Sequence, residues 1–406
     1  MTFHIIEGGV TAAKGFQASG IHCGIRKNRS KADLALIYSD VPCAAAAVYT
    51  QNLVKGAPIA VTKRNIANGM ARAVICNSGN ANTCNADGEE KAQKMCDLIA
   101  AELHIDPSDV IVASTGVIGQ VLPIEPIANS VKTLAEALST TGSNDAAKAI
   151  MTTDTVEKEY ALEVELDGKT VTIGGITKGS GMIHPNMATM LGFLTTDASI
   201  TSELLNEALH TAIEDTFNMV SVDGDTSTND MVSVMASGLA ENQTITEKNH
   251  DYKLFTQALT EVCAVLSRKI AKDGEGATRL LECAVTGAKT KEDARTIAKS
   301  VICSNLLKCA IFGADANWGR VLCAIGYSGA NININGVDVA FESKQGRIEV
   351  CKDGAGLPFD EDIAKKILLE DDIVVAVTLH EGSECATAYG CDLTYDYVKI
   401  NGDYRS

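Results

Sequence analysis

Thr189 is the residue whose type and position in this chain most favour nucleophilic chemistry. It follows Ala188 in a glycine-rich segment that begins at Lys178 and runs into the apolar sequence Leu-Gly-Phe-Leu. A threonine hydroxyl cannot attack a carbonyl efficiently at neutral pH unless a base lies beside it. Breaking the peptide bond before Thr189 creates such a base, because the new α-amino group has a pKa of roughly 7.7 to 8.0. The pattern therefore predicts a chain that cuts itself and then uses an N-terminal threonine.

The predicted cleavage is an attack of the Thr189 hydroxyl on the carbonyl of Ala188, which gives an ester that water hydrolyses. Ala188 leaves its carbonyl accessible, and Gly179 and Gly181 permit unusual backbone angles nearby. His184 is an alternative base, although a His-Pro sequence favours a turn. Local composition alone favours another interpretation, an ordinary glycine-rich loop that leads into a buried segment.

Sequence blocks along nearly the whole chain resemble those of the ornithine acetyltransferase family. Members of that family are glutamate N-acetyltransferases and are often bifunctional. The segment around Thr189 resembles the self-cleavage region of that family. Further blocks follow in order at residues 8–16, 34–40, 77–82, 114–119, 221–230, 273–278, 314–320 and 401–406. The resemblance implies cleavage between Ala188 and Thr189, with both parts, 1–188 and 189–406, staying folded together.

The same resemblance implies roles for individual residues. Thr115 and Gly116 match the pair that stabilises the oxyanion, whereas Ser-Thr-Gly by itself predicts only a turn. Lys178 matches a cation that binds a substrate carboxylate or supports the oxyanion, and Glu275 matches a carboxylate that binds an ammonium group of ornithine. Without the family, Lys178 would be a solvated lysine and Glu275 a turn residue between glycines. The implied substrate contacts are completed by Thr152, Asn401, Ser406 and Thr189 itself.

Composition narrows the classes of partner and location. The 406 residues are 46% hydrophobic, which suffices for two or three domains. A formal net charge of −17 without an arginine-rich stretch argues against a nucleic-acid partner. No run approaches the ~20 apolar residues that span a bilayer, and the N-terminal sequence lacks the pattern of a secretory signal. We therefore expect a cytoplasmic protein that binds neither membrane nor nucleic acid.

The 13 cysteines are dispersed and form no C-x-x-C pair, which is typical of a reducing compartment. Cys303 and Cys309, like Cys385 and Cys391, are close in sequence but lack histidines at zinc-finger spacing. We expect no structural metal and no cofactor, with acetyl-CoA left open as a co-substrate.

Periodicity predicts alternating helices and strands. Apolar residues recur at helical intervals over residues 89–103, 202–217, 252–270 and 292–307. Period-two alternation on both sides of Asp167-Gly168 predicts a β-hairpin, a second hairpin is predicted around Asn335-Gly336, and residues 373–379 form a predicted buried strand. Hairpins require antiparallel pairing, which excludes a purely parallel doubly wound sheet.

The predicted fold class is α/β. The resemblance implies a layered α/β/β/α sandwich with mixed sheets over residues 1–285, containing the cleavage site, and a smaller C-terminal α/β domain over residues 286–406. A polar stretch at residues 289–292 is a modest linker signal at that boundary.

The implied activity is a ping-pong transfer of the acetyl group from N2-acetyl-L-ornithine to L-glutamate through an acetyl-threonine, in arginine biosynthesis. Use of acetyl-CoA would make the enzyme bifunctional. The resemblance also implies a heterotetramer of two α and two β chains after cleavage. Two alternatives remain open. One is a self-processing aminopeptidase or related hydrolase, in which water resolves the acyl-enzyme. The other is an uncut scaffold protein.

Overall fold

The computed structural model describes residues 3–28, 30–184 and 190–402. Within these ranges the strands form two sheets with both parallel and antiparallel pairs. The strands of the first sheet are β1 (His4–Ile6), β2 (Phe16–Ile21), β3 (Leu34–Tyr49), β4 (Met70–Asn77), β5 (Val110–Ser114), β6 (Lys158–Leu166), β7 (Lys169–Lys178), β8 (Leu191–Thr196) and β9 (Met231–Ala236). Those of the second sheet are β10 (Leu280–Ala288), β11 (Asp338–Ser343), β12 (Gly346–Lys352), β13 (Ala355–Gly356), β14 (Asp372–Thr378) and β15 (Glu384–Cys391).

Helices separate most of these strands along the chain. They are α1 (Ala57–Asn65), α2 (Gly88–Leu103), α3 (Ile124–Ala128), α4 (Val131–Glu136), α5 (Ser143–Ile150), α6 (Ser202–Glu214), α7 (His250–Lys272), α8 (Lys291–Cys303), α9 (Asn305–Phe312), α10 (Trp318–Gly326), α11 (Glu361–Leu368) and α12 (Tyr395–Asn401). Thr201 caps α6 by accepting a hydrogen bond from the Leu204 N–H.

One long strand joins two halves of the first sheet. The first part of β3 pairs with β2 and β4, whereas its last part, from Ala44 to Tyr49, pairs with β9. The register between β3 and β4 shifts between Tyr38 and Cys43, and such irregularities bend a strand. The sheet therefore divides at β3 into one half that contains β2, β4 and β5 and another that contains β1 and β6 to β9.

Side-chain alternation places these two halves face to face. In β3, Ala35 and Ile37 lie in one buried cluster, while Leu34 and Leu36 lie in another. The period of two along a strand requires this split between opposite faces. The cluster of Ala35 and Ile37 also holds Phe193 of β8, together with residues of β9 and α5. The inner faces of both halves thus share one core.

The outer faces of both halves are covered by helices. Leu34 and Leu36 pack with Met95 of α2 and with residues of α1, α3 and α4. On the other side, Leu194 of β8 packs with Phe255 of α7 and with residues of α6. The order of layers is α/β/β/α, which confirms the predicted sandwich with mixed sheets.

The second sheet forms a separate core with helices α8, α9, α10 and α11. Its order is β13-β12-β11-β14-β10-β15, with β10 and β14 parallel and the other pairs antiparallel. The predicted domain boundary between residues 285 and 286 lies inside β10. Helix α7 contacts strands of both sheets and so connects the sandwich to the second sheet.

Some local predictions are confirmed and others are wrong. The hairpin β6–β7 turns at Asp167 and Gly168, which both have positive φ, and β14 matches the predicted buried strand. The second predicted hairpin is wrong. Asn335-Gly336 belongs to a short 3-10 turn, and the hairpin β11–β12 turns at residues 344–345. The helix predicted over residues 292–307 is divided into α8 and α9 at Ser304, whose hydroxyl accepts from the Leu307 N–H.

Candidate functional site

Six of the predicted site residues line one cavity of about 130 Å³. They come from loops, a strand end and a helix end that are far apart in sequence: Thr115, Gly116, Thr152, Lys178, Glu275 and Asn401. The remaining predicted residues, Ala188, Thr189 and Ser406, lie outside the described residues.

The chain that follows the predicted nucleophile is anchored near this cavity. Strand β8 begins at Leu191, which pairs with Lys178 on one side and with Met231 on the other. The Met231 N–H donates to the carbonyl of Met190 at 3.0 Å. The predicted nucleophile Thr189 therefore directly precedes a segment held between Lys178 and the start of β9.

Thr115 and Gly116 form a turn directly after β5. The Thr115 N–H donates to the Asn77 carbonyl at 2.9 Å, so the group of Thr115 that can act on a ligand is the hydroxyl. Gly116 has φ +131°, and a Cβ atom there would lie 2.8 Å from the backbone of Gly79 and Asn80. The Gly116 N–H has no hydrogen-bond acceptor among the described residues. A hydroxyl and a backbone N–H are thus available at this wall for a developing negative oxygen.

Lys178, the last residue of β7, is a nearly buried cation at the cavity, with 7% of its surface exposed. Its ammonium lies 3.5 Å from the Thr115 hydroxyl, and no carboxylate of the described residues forms an ion pair with it. A buried ammonium without an acidic partner is costly unless an anion or polar group completes its surroundings. Lys178 is therefore suited to hold a substrate carboxylate or to stabilise an oxyanion.

Glu275 supplies the opposite charge and is also nearly buried, at 8% exposed. Its carboxylate accepts a hydrogen bond of 2.7 Å from the amide of Asn401, near the end of the chain. It also packs directly on Gly181, where an added Cβ atom would overlap the carboxylate. Gly276, the next residue in the chain, has φ +69° and no room for a side chain against α12. These contacts fix the carboxylate at the cavity wall.

A buried ion network connects the loops that carry these residues. The Lys158 ammonium contacts Asp154 at 2.6 Å and Asp273 at 2.5 Å. Asp154 also accepts hydrogen bonds from two N–H groups. One belongs to Thr152, which lines the cavity, and the other to Gly179, which follows the lining residue Lys178. Burial disfavours the charged carboxylate, but the Lys158 and Lys178 ammonium groups and the hydrogen bond from the Thr152 N–H outweigh burial and hold the pKa of Asp154 well below its ordinary value.

The same network reaches the loop of Glu275. Ser180 donates through its hydroxyl to the carbonyl of Asp273 at 2.7 Å, and its own carbonyl accepts from the Glu275 N–H at 2.9 Å. Lys178, Thr152 and Glu275 are therefore positioned by one set of buried contacts around Lys158.

Asn229 is a residue of the cavity wall to which the sequence assigned no role. Its amide donates to the carbonyls of Ala81 and Ser114, and its oxygen accepts from the hydroxyls of Thr83 and Thr228. It thereby joins the loops after β4 and β5 to the segment before β9. Its position in the block at residues 221–230, which resembles the family, was the available sequence signal.

His184 does not line the cavity. Its Nδ1 lies 3.0 Å from the Ser221 hydroxyl and 3.6 Å from the sulfur of Cys303. Burial, reinforced by the Lys299 ammonium, lowers the pKa of His184 to about 4. The imidazole is thus neutral at physiological pH and is engaged away from the predicted site.

Among residues 3–28, 30–184 and 190–402, no cluster of three or more His, Cys, Asp and Glu side chains has the arrangement of a metal site. None of the helices in the described part of the chain combines the length and apolar character needed to cross a membrane.

The profile of the ArgJ family matches residues 17–406. The arginine biosynthesis bifunctional protein ArgJ 1 of Clostridium acetobutylicum is 51% identical over 398 residues, which cover 98% of this chain and 97% of that protein. The ArgJ protein of Symbiobacterium thermophilum is 52% identical over 403 residues, with 99% of each chain covered. A crystal structure of ArgJ from Bacillus halodurans is 49% identical, covers 52% of this chain and 97% of its own, and has a TM-score of 0.49.

The layered fold, the cavity and these relatives together define an acyltransferase of arginine biosynthesis. The chain belongs to the ArgJ family, because that family's profile and relatives at about 50% identity both extend over nearly its full length.

Proposed function

We propose that this enzyme moves the acetyl group of N2-acetyl-L-ornithine to L-glutamate through an acetyl-threonine at Thr189. The observation that carries the proposal is the pair of opposite buried charges, Lys178 and Glu275, on the walls of one small cavity. An amino-acid ligand with one carboxylate and one ammonium complements such a pair. Belonging to the ArgJ family supports the same assignment.

Self-cleavage comes first in the proposed sequence. The Thr189 hydroxyl attacks the Ala188 carbonyl, the C–N bond breaks as the ester forms, and the amide nitrogen takes up the hydroxyl proton. Water then hydrolyses the ester, which leaves a carboxylate on Ala188 and a free α-amino group on Thr189. That amine is the base for the transfer reaction.

Each half of the transfer passes through a tetrahedral intermediate. The Thr189 hydroxyl gives its proton to its own amine and forms a bond to the acetyl carbon of N2-acetyl-L-ornithine. The C–N bond of the donor then breaks, and the proton passes to the nitrogen of the leaving ornithine. The amine of L-glutamate attacks the acetyl ester in the reverse sense and restores the hydroxyl. The Thr115 hydroxyl and the Gly116 N–H are the proposed donors to the oxyanion in both halves.

The decisive test is an intact-mass spectrum under denaturing conditions, recorded before and after brief incubation with N2-acetyl-L-ornithine. We expect one fragment that ends at Ala188 and another that begins at Thr189 and gains one acetyl group. Thr189→Ala should remain uncut and inactive, whereas the control Thr246→Ala, at an exposed position, should behave as the wild type.

Other outcomes would contradict the proposal in distinct ways. If the Thr189→Ala variant stayed uncut and still transferred acetyl groups, Thr189 would not be the nucleophile. Cleavage without acetylation, combined with peptide hydrolysis that needs no amine acceptor, would favour the aminopeptidase alternative. A wild-type chain that stayed whole and unacetylated would favour a scaffold.

Three further properties belong to this proposal. We propose that the cleaved enzyme is a heterotetramer of two α and two β chains, that it acts in the cytoplasm and that it needs no cofactor. Native mass spectrometry should give a mass of twice 42.7 kDa for the assembly. Activity should survive dialysis against a chelator, and the protein should fractionate with cytoplasmic enzymes. A monomeric mass would contradict the heterotetramer, and chelator-sensitive activity would contradict the proposal that no cofactor is needed.

A further inference from the structure

Helix α12 contributes a wall residue to the cavity that holds Lys178 and Glu275, yet it buries no residue of its own. Asn401, its last residue, lines that cavity. None of its seven residues, all of which the structure describes, is buried, and Tyr395 and Val398 are 84% and 69% exposed. Most helices in proteins are stabilised by burial of an apolar face. The position of α12 therefore depends mainly on specific hydrogen bonds.

Both ends of α12 are hydrogen-bonded to the loop of Glu275. Thr394, which caps the first turn, donates through its hydroxyl to the Gly276 carbonyl at 2.6 Å. Asn401 donates through its amide to the Glu275 carboxylate at 2.7 Å. A Cβ atom at Gly276 would collide with the backbone of α12, so the helix lies directly on this loop. The ends of the helix are thus tied to the loop whose carboxylate they position.

The middle of α12 is held by Asp223, which also holds another part of the cavity wall. The Asp223 carboxylate accepts a hydrogen bond of 3.3 Å from the Tyr397 hydroxyl. It also accepts from the N–H groups of Met182 at 2.6 Å and Ile183 at 2.9 Å. Met182 lines the cavity and has φ +57°, a backbone conformation that a long side chain rarely adopts. One carboxylate therefore fixes both the wall at Met182 and the helix of Tyr397.

Tyr397 is suited to be a permanent donor in this contact. Burial, reinforced by the Asp223 and Glu275 carboxylates, raises the pKa of its hydroxyl well above the ordinary value. The hydroxyl therefore stays protonated at physiological pH. A hydrogen bond to a charged acceptor is also stronger than one between neutral groups.

The two substrates of the proposed reaction make different demands on the wall of Glu275. In N2-acetyl-L-ornithine the α-nitrogen is acylated, so the single ammonium lies at the end of the side chain. L-Glutamate has one amine, and that amine must leave any carboxylate partner to attack the acetyl ester at Thr189. A wall that holds the Glu275 carboxylate in place therefore serves the acetyl donor more than the acceptor.

We propose that Asp223 and Tyr397 are positioning residues that hold α12 and Met182 so that Glu275 receives the side-chain ammonium of N2-acetyl-L-ornithine. This inference rests on the proposed function, because it assigns the recognition of its acetyl donor. Neither of these two described residues lines the cavity. They act through Met182 and Asn401, which do.

The first test compares two tyrosines of the same helix. Tyr397→Phe removes the hydroxyl that contacts Asp223, and we expect the KM for N2-acetyl-L-ornithine to rise by about 3- to 10-fold. We expect kcat and the KM for L-glutamate to stay within about twofold of the wild type, because the reacting groups are untouched. Tyr395→Phe is the control, since it removes an exposed hydroxyl and keeps the ring that contacts Phe312.

The second test compares two aspartates of the same loop. Asp223→Asn keeps the shape of the side chain but loses the charge and one acceptor, so the KM for N2-acetyl-L-ornithine should rise by about tenfold or more. Asp225→Asn makes the same charge change at an exposed position and should stay within about twofold. Intact masses first establish that each variant is cut. If Asp223→Asn fails to fold or to cut, Tyr397→Phe decides, because it keeps the bonds to Met182 and Ile183.

Three results would overturn this inference. The first is a donor KM in Tyr397→Phe equal to that in Tyr395→Phe. The second is a fall in kcat with unchanged KM, which would move the effect to the chemical step. The third is an equal rise in KM for both substrates, which would indicate a general loosening of the site. In each case the wild type would still transfer acetyl groups and support the proposed function, whereas a wild type without transfer would contradict both.

Discussion

Lys272 and Asp273 are consecutive residues at the end of helix α7, yet they belong to two charge networks of opposite exposure. Asp273 joins Lys158 and Asp154 in a network whose side chains are at most 6% exposed. Lys272 joins Arg268, Glu282 and Asp372 on the surface, where its own side chain is 49% exposed.

The two networks contain the same types of charged residue but have different roles. The surface network connects α7 to the second sheet, and solvent screens its ion pairs. The buried network ties together the loops of Thr152, Lys178 and Glu275, and each of its charges depends on its partners for compensation. The comparison teaches that the charges which position the proposed site are also those whose loss the fold tolerates least.

Removal of the central cation is the strongest way to test this contrast. Lys158→Met removes the ammonium that contacts both buried carboxylates, so we expect the free energy of unfolding to fall by about 3 to 5 kcal/mol. Lys272→Met, its surface counterpart, should cost at most about 1 kcal/mol, and less at high salt. Urea unfolding of both variants measures the difference. Equal losses would contradict the contrast.

The comparison extends to catalysis at the cavity wall. Thr115→Val removes the hydroxyl next to Lys178, and we expect kcat to fall by about 10²- to 10³-fold with little change in KM. Thr115→Ser keeps the hydroxyl and should retain most of the activity. Steady-state kinetics with N2-acetyl-L-ornithine and L-glutamate give the values. Equal activity of the two variants would exclude the hydroxyl from the oxyanion site.

Glu275 and Glu282 form a matched pair, because Glu275 lies at the cavity and Glu282 belongs to the surface network. Glu275→Gln neutralises the carboxylate at the cavity, and we expect kcat/KM for N2-acetyl-L-ornithine to fall by about 10- to 100-fold, as for a lost hydrogen bond to a charged group. Glu282→Gln neutralises a surface-network carboxylate on β10 and should leave kcat/KM within about twofold. A similar loss in both would point to a general charge effect rather than a local one.

His184 is partly buried, so its exposure lies between that of the buried network and that of the surface network. Its folded pKa of about 4 lies below the ordinary value of 6.5, so between these pH values the unfolded state binds more protons. Stability should therefore fall as pH drops from 6.5 to 4 and be independent of this group above 6.5. Solvent screening reduces the slope to a fraction of about 1.4 kcal/mol per pH unit.

Urea midpoints at several pH values check this expectation. His184→Gln should flatten the dependence between pH 6.5 and 4, whereas His210→Gln on α6 should preserve it. An unchanged slope in His184→Gln would assign the acid sensitivity to other groups.

Local patterns predicted the parts of the fold that local energetics control. The β6–β7 hairpin was predictable because Asp167 and Gly168 supply the two positive φ angles that its turn requires. The Asn335-Gly336 prediction was wrong because the Asn333 side chain accepts from the Asn335 N–H and closes a 3-10 turn instead. Helical periodicity also continued across Ser304, although its hydroxyl caps a new helix there.

The site was predictable only in part, and the family resemblance carried that part. It named Thr115, Lys178 and Glu275, which the structure brings around one cavity. It did not name the Lys158 network, because a partner 115 residues away leaves no periodic or spacing signal in the sequence.

The contact between Asn401 and Glu275 makes the proposed site depend on a segment 126 residues further along the chain. The residues that line the cavity extend along the chain from Ala81 to Asn401. During synthesis, the ribosome must therefore release the chain through Asn401 before the Glu275 carboxylate acquires its amide partner. A nascent chain that lacks Asn401 also lacks a finished binding pocket, so this contact delays assembly of the site until residue 401 has been translated.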